Sequence, residues 1–97
     1  MNYKEIIIEV NPERRFLAGE IRAKEIFDEQ VKNELKNLKL FDGLIIVYPS
    51  HVSGISITFT KKMYNEIHKR LGDDAYLVQF KAGSEYLANK IREDIIF

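Results

Sequence analysis

The order of apolar and polar positions along the chain predicts strands that alternate with helices. Glu5–Val10 carries three consecutive isoleucines and ends in valine, which favours a largely buried strand. Arg15–Ala18 is predicted to return as a short second strand, giving an N-terminal hairpin. The continuous apolar run Leu44–Tyr48 predicts a central strand covered on both faces, and Ala75–Phe80 predicts a further strand.

Three other segments have the spacing of amphipathic helices. Apolar residues recur every three or four positions from Glu20 to Leu38 and again from Thr58 to Leu71, where Gly72 is expected to end the helix. Ser84 is suited to cap a last helix. The predicted inner face of that helix is Leu87, Ala88, Ile91 and Ile95. This order predicts one α/β domain over residues 1–97, with a small mixed, mostly parallel sheet of about four strands backed by three helices.

The charge balance and the amino-acid content exclude several classes of protein. Fifteen basic and fifteen acidic residues cancel, with a pI of about 6.7, which argues against a general nucleic-acid binder. The absence of cysteine excludes disulfides, thiolate metal sites and a cysteine nucleophile, and favours a cytoplasmic protein. Met1–Val10 does not have the pattern of a signal peptide, and the longest apolar run is too short to span a membrane. We therefore expect neither nucleic acid nor membrane as a partner.

Motifs for catalysis, metals and cofactors are missing from the sequence. There is no glycine-rich phosphate loop, and His51 and His68 have no second ligand at helical spacing. His51 is the more interesting histidine, because it lies in the loop after the central strand. No spacing brings together a nucleophile, a base and an orienting group. The sequence predicts a protein that is not an enzyme and holds no metal or cofactor.

A hydroxyl-rich segment follows the central strand and leads into the second helix. Ser53, Ser56 and Thr58 lie within seven residues, from Val52 to Thr58. Capping of the helix N-terminus explains one of these hydroxyls. The alternative is that the N-terminal N–H groups and the positive end of the helix dipole favour an anion, including a phosphate added to one of the hydroxyls.

The stretch Val52-Ser53-Gly54-Ile55-Ser56-Ile57-Thr58-Phe59 resembles the motif of the STAS-like domains, relatives of the anti-sigma-factor antagonists. That motif reads Val-x-Gly-Ile-Ser-x-Ser-Phe and opens a helix after the central strand. Phe16-Leu17-Ala18 is similar to the family's entry into its first helix. The chain departs from the family at two places, where Tyr48-Pro49 replaces an aspartate at the strand end and Glu20 replaces an arginine.

The resemblance implies a four-stranded mixed sheet backed by helices and used as a protein-binding module. In the anti-sigma-factor antagonists, a hydroxyl at the start of the second helix is phosphorylated by a partner kinase of the histidine-kinase ATPase type. Carried onto this chain, that role falls on Ser56 or Thr58.

These observations lead to one main hypothesis and two alternatives. The main hypothesis is a non-enzymatic regulatory module that docks a partner protein through the Ser50–Phe59 loop and the exposed side of the following helix. The residues predicted to bind the partner are Ser50, His51, Ser53, Lys61, Lys62, Asn65 and Lys69. The alternatives are a sensor of a small anionic ligand or nucleotide, contacted by Ser50, His51, Ser53 and Ser56, and a mobile-element inhibitor that blocks a host complex. The oligomeric state stays open.

Overall fold

A three-stranded parallel sheet forms the centre of the computed structural model, which describes residues 2–96. Met1 and Phe97, the two ends of the predicted domain, lie outside the described residues. The strands are β1 (Tyr3–Ile7), β2 (Phe16–Leu17), β3 (Gly43–Val47), β4 (Gly54–Ile55) and β5 (Val78–Lys81). The helices are α1 (Glu20–Ile26), α2 (Lys32–Leu35), α3 (Ile57–Leu71) and α4 (Glu85–Ile96), with a π-helical turn at Phe27–Val31 and 3-10 turns at Leu38–Leu40 and Gly72–Leu77.

The central sheet has the strand order β1-β3-β5, and both of its pairings are parallel. Ile6 lies beside Ile46, which in turn lies beside Phe80. Helical crossovers connect the three strands along the chain, as parallel pairing requires. The predicted α/β class with a parallel sheet is therefore confirmed. The sheet is not mixed, since every strand pair among residues 2–96 is parallel.

The predicted N-terminal hairpin is wrong. Phe16 and Leu17 form β2, but they pair in parallel with Gly54 and Ile55 of β4 instead of returning along β1. The two strands make a second, two-stranded sheet. A strand of two residues has no periodicity that identifies its partner, so its pairing is set by tertiary contacts that the local pattern does not contain.

The first helical segment is continuous from residue 20 to residue 35, although its middle is a π-helical turn. Its predicted inner residues Ala23, Phe27, Val31 and Leu35 are all buried. The helix predicted to end at Gly72 does so, and Gly72 has the expected positive φ of 56°. A 3-10 turn then occupies part of the predicted strand Ala75–Phe80, so β5 begins only at Val78.

The hydrophobic core lies on one face of the central sheet. Buried sheet residues on that face are Ile6, Ile8, Leu44, Ile46, Val78 and Phe80. Buried helical residues that join the same core cluster include Phe27, Phe59, Met63, Ile67, Leu87 and Ile91. Apart from Gly43, which lies under the Tyr3 ring, the alternating positions on the other face are exposed or half-buried, so the prediction that β3 is covered on both faces is wrong.

Within residues 2–96, no helix has the length and apolar character needed to cross a membrane.

Candidate functional site

The loop Ser50–Phe59 is held in place by the second, small sheet. Backbone hydrogen bonds join Ser53 N to the Arg15 carbonyl at 2.8 Å and Ser56 N to the Leu17 carbonyl at 2.8 Å. The Phe16 ring lies directly over Gly54, where a Cβ would come within 2.4 Å of two ring carbons. A side chain at position 54 would therefore displace the exposed Phe16 ring, and backbone hydrogen bonds to β2 hold the loop in place.

Ser56 is the N-cap of α3. Its Oγ accepts a hydrogen bond from Phe59 N at 3.1 Å and a second from Gly19 N at 3.3 Å. The same oxygen lies 3.0 Å from the Thr58 hydroxyl. Ser56 thus ties the entry of α1 to the start of α3, as the capping hypothesis expects.

Thr58 is the more accessible of the two predicted phosphorylation candidates. Its side chain is exposed in the first turn of α3, whereas Ser56 is half-buried and accepts two backbone hydrogen bonds. Because the two hydroxyl oxygens are in contact, a phosphate on either residue would occupy nearly the same position in front of the helix. The first turn of α3 contains no acidic side chain that would repel it.

The other predicted loop residues lie on the outer side of the same frame. His51 Nε2 is 3.1 Å from the Asn11 carbonyl, and Ser53 Oγ donates to the Arg15 carbonyl at 3.3 Å. Ser50 is exposed, and its backbone packs against Gly83 in the loop before α4, where a Cβ would lie 2.9 Å from the Ser50 Cα. Two of the four groups predicted to contact an anion, those of His51 and Ser53, are therefore engaged with backbone carbonyls.

Four residues of α3 were predicted to extend the docking surface, and their surroundings differ. Lys61, Asn65 and Lys69 follow one another at four-residue spacing on the outer side of the helix. Lys62 points towards α1, beside Ile21. The structure therefore places three of the four in one row and the fourth at its edge.

A buried carboxylate lies beneath this row. Glu66 is almost fully buried, and its carboxylate forms ion pairs with Lys24 at 3.1 Å and with Lys69 at 3.6 Å. Burial disfavours its charged form, but the hydrogen bond from Lys24 and the nearby charges of Lys69 and Lys62 outweigh that effect, so the pKa of Glu66 lies below its ordinary value. Lys24 therefore links α1 to α3 through Glu66, whereas the ion pair of Lys69 with Glu66 lies within α3.

Three exposed apolar side chains near the hydroxyl pair were missed by the sequence analysis. Phe16, Ile21 and Ile57 are 56%, 79% and 45% exposed. Phe16 pairs with Gly54, Ile57 follows the N-cap directly, and Ile21 is two residues after Gly19, which donates to Ser56. The available signal was that Ile21 and Ile57 fall outside the apolar stripes of their helices.

The described residues contain no group of three or more histidine, cysteine or acidic side chains that could hold a metal ion. Burial raises the pKa of the Tyr48 hydroxyl far above its ordinary value, so Tyr48 is a neutral core residue. Its ring packs edge-on against Phe59, with the centroids 6.2 Å apart, and thereby anchors the start of α3 to the sheet.

No protein-family model, curated protein or solved structure matches the chain.

Proposed function

We propose that this chain is a non-enzymatic regulatory module that docks a partner protein through the Ser50–Phe59 loop and the outer side of α3. The observation that carries the proposal is the position of the Ser56–Thr58 hydroxyl pair, which lies near exposed apolar side chains on a loop held by the β2–β4 pairing. A phosphate on this pair is proposed to control the docking.

The apolar side chains supply the attraction. The side chains of Phe16, Ile21 and Ile57 are exposed. Each of these residues lies within two positions of a residue whose backbone contacts the hydroxyl pair or its loop. Exposed apolar side chains gathered in one region with polar neighbours are typical of protein interfaces, and aromatic residues are enriched at interface centres. These side chains therefore form the apolar part of the proposed docking surface, beside the Ser50–Phe59 loop and α3.

The positive surroundings of Thr58 favour a phosphate at that position. Thr58 lies in the first turn of α3, where the unpaired backbone N–H groups and the positive end of the helix dipole are located. Lys61 and Lys62 follow Thr58 by three and four residues. Side chains at these spacings face one another on a helix, so both lysines are within reach of a phosphate on Thr58. Added charge at this position would oppose burial of Ile57 against a partner.

The resemblance to the STAS-like domains supports a kinase of the histidine-kinase ATPase type as the partner, acting in the cytoplasm. The same resemblance assigns the phosphorylated hydroxyl to Ser56 or Thr58. The exposure of Thr58 makes it the preferred position in this proposal.

Thr58→Glu is expected to lower capture of the partner from the host lysate about tenfold, as measured by quantitative mass spectrometry. Thr58→Gln is the matched control, because glutamine has the size of glutamate without its charge. The Thr58→Gln variant is expected to capture the partner as well as the wild type does. An acidic residue in the first turn of α3 is favourable for the helix, so lost capture would not reflect unfolding. Equal capture by both variants and the wild type would contradict the proposal. Capture of a large complex by all three proteins, whether or not position 58 is charged, would favour the inhibitor hypothesis.

A further inference from the structure

A cleft opens beside the edge strand β5, between the second half of α3 and the last two turns of α4. Its volume is about 280 Å³. Sites for small molecules begin at roughly 300 Å³, so the cleft has the size of a site for a small ligand. It lies apart from the Ser50–Phe59 loop, which contributes no residue to its lining.

The bottom of the cleft consists of core side chains. Ile67, Ala75, Val78 and Phe80 line it, and each of them is less than a tenth exposed. They come from α3, the 3-10 turn Gly72–Leu77 and β5, so three elements meet at this point. An apolar group that enters the cleft would leave water and contact the core directly, which is favourable in proportion to the area buried.

The last turn of α4 does not close over this apolar surface. Leu87, Ala88 and Ile91 are buried as the inner face of the helix, but Ile95, the next residue of the same stripe, is only half-buried and lines the cleft. Tyr76, also in the lining, is 73% exposed. The apolar stripe of α4 therefore continues into a space that the described residues do not fill.

One positive charge lies at the rim of the cleft. Arg92 of α4 is exposed, and its Nη2 donates a hydrogen bond to Asn89 Oδ1 at 2.8 Å. Within residues 2–96 it makes no ion pair, whereas Lys90 of the same helix pairs with Asp94 at 2.6 Å. No acidic side chain is among the described residues that line the cleft. The charge of Arg92 is thus available to an anion.

We propose that this cleft binds a small carboxylic acid, with its apolar body on the core side chains and its carboxylate on Arg92. A guanidinium matches a carboxylate in shape and can donate two hydrogen bonds to it. A single positive charge at the rim matches a ligand with a single negative charge, whereas a nucleotide carries several. This site is independent of the docking surface proposed above.

Titration of the ¹⁵N-labelled chain with octanoate, followed by NMR, tests the proposal. Octanoate has a carboxylate and a short aliphatic body, and a dissociation constant on the order of 0.1–1 mM is expected for a ligand of this size. The amide signals of Val78, Phe80 and Ile95 should shift, while those of His51 and Ser53 should not. No shift up to about 10 mM octanoate, or shifts spread evenly over the chain, would overturn the proposal.

Arg92→Gln tests the contact with the carboxylate. It is expected to weaken octanoate binding about fivefold at low salt, because an exposed charge pair contributes modestly. The same variant should bind 1-octanol, which has no charge, as well as the wild type does. Arg14→Gln, the same exchange at an exposed arginine outside the cleft, should leave octanoate binding unchanged. Equal octanoate binding by the Arg92→Gln variant and the wild type would refute the role of Arg92.

Ile95→Trp tests the apolar part of the site by filling the cleft from its half-buried wall. The variant is expected to lose the octanoate-dependent shifts of Val78 and Phe80, and its remaining NMR signals report whether the fold is kept. If a folded Ile95→Trp variant bound octanoate as tightly as the wild type, the ligand would lie elsewhere and the proposal would be wrong.

Discussion

Leu17→Ala is expected to lower the free energy of unfolding by about 2–5 kcal/mol, the range for removing a large aliphatic side chain from a core. Leu17 is fully buried although it belongs to a strand of two residues. Its carbonyl accepts the hydrogen bond from Ser56 N, so the side chain anchors the frame under the candidate site. Urea unfolding followed by circular dichroism measures the change.

Phe16→Ala is the matched control for this prediction, because Phe16 precedes Leu17 in the same strand and is more than half exposed. We expect it to change the free energy of unfolding by less than about 1 kcal/mol. Equal, small effects of the two substitutions would mean that β2 does not pair with β4 as described.

Phe59→Ala is expected to cost about 3–5 kcal/mol of unfolding free energy. The Phe59 ring is fully buried and packs edge-on against Tyr48, which also stacks on Phe80 with the ring centroids 6.3 Å apart. The substitution leaves a cavity between α3 and the sheet that the rigid rings on either side cannot fill.

Ile57→Ala tests the same helix turn from the outside, since Ile57 is exposed and precedes Phe59 by two residues. A change below about 1 kcal/mol is expected, because little buried area is lost. If Ile57→Ala were as costly as Phe59→Ala, the assignment of the inner and outer sides of α3 would be wrong.

The helices were predictable from the sequence because each buries a regular stripe. The stripe Phe59, Met63 and Ile67 is buried as expected, and Ser84 caps α4 by accepting a hydrogen bond from Leu87 N at 3.1 Å. The π-helical turn at Phe27–Val31 was not predicted, because its inner residues keep nearly the same spacing as in an α-helix.

The strands were harder to place than the helices. β2 and β4 are two residues each and pair across 38 positions of sequence, so no local pattern connects them. The exposed second face of the central sheet was missed for a different reason. The apolar run of β3 is typical of a strand covered on both sides, and only the alternation in β1 and β5, with Glu5 and Lys81 on the open side, indicates otherwise.

The candidate site was predictable in part. The hydroxyl-rich segment between the central strand and α3 is visible in the sequence, and the capping role of Ser56 follows from general helix chemistry. The exposed apolar residues Phe16 and Ile21 could not be assigned to the site, because the contacts that bring them near Ser56 depend on the β2–β4 pairing and on the bond from Gly19.

Mapping phosphate on the chain recovered from its host lysate, with and without ATP, tests the proposed regulation most directly. The prediction is ATP-dependent phosphate on Thr58 or Ser56, with an ATPase kinase captured by the unphosphorylated chain and lost from the phosphorylated one. Phosphate on neither residue, together with a set of captured proteins that ATP does not change, would contradict the regulatory proposal and would leave the two hydroxyls with structural roles at the start of α3.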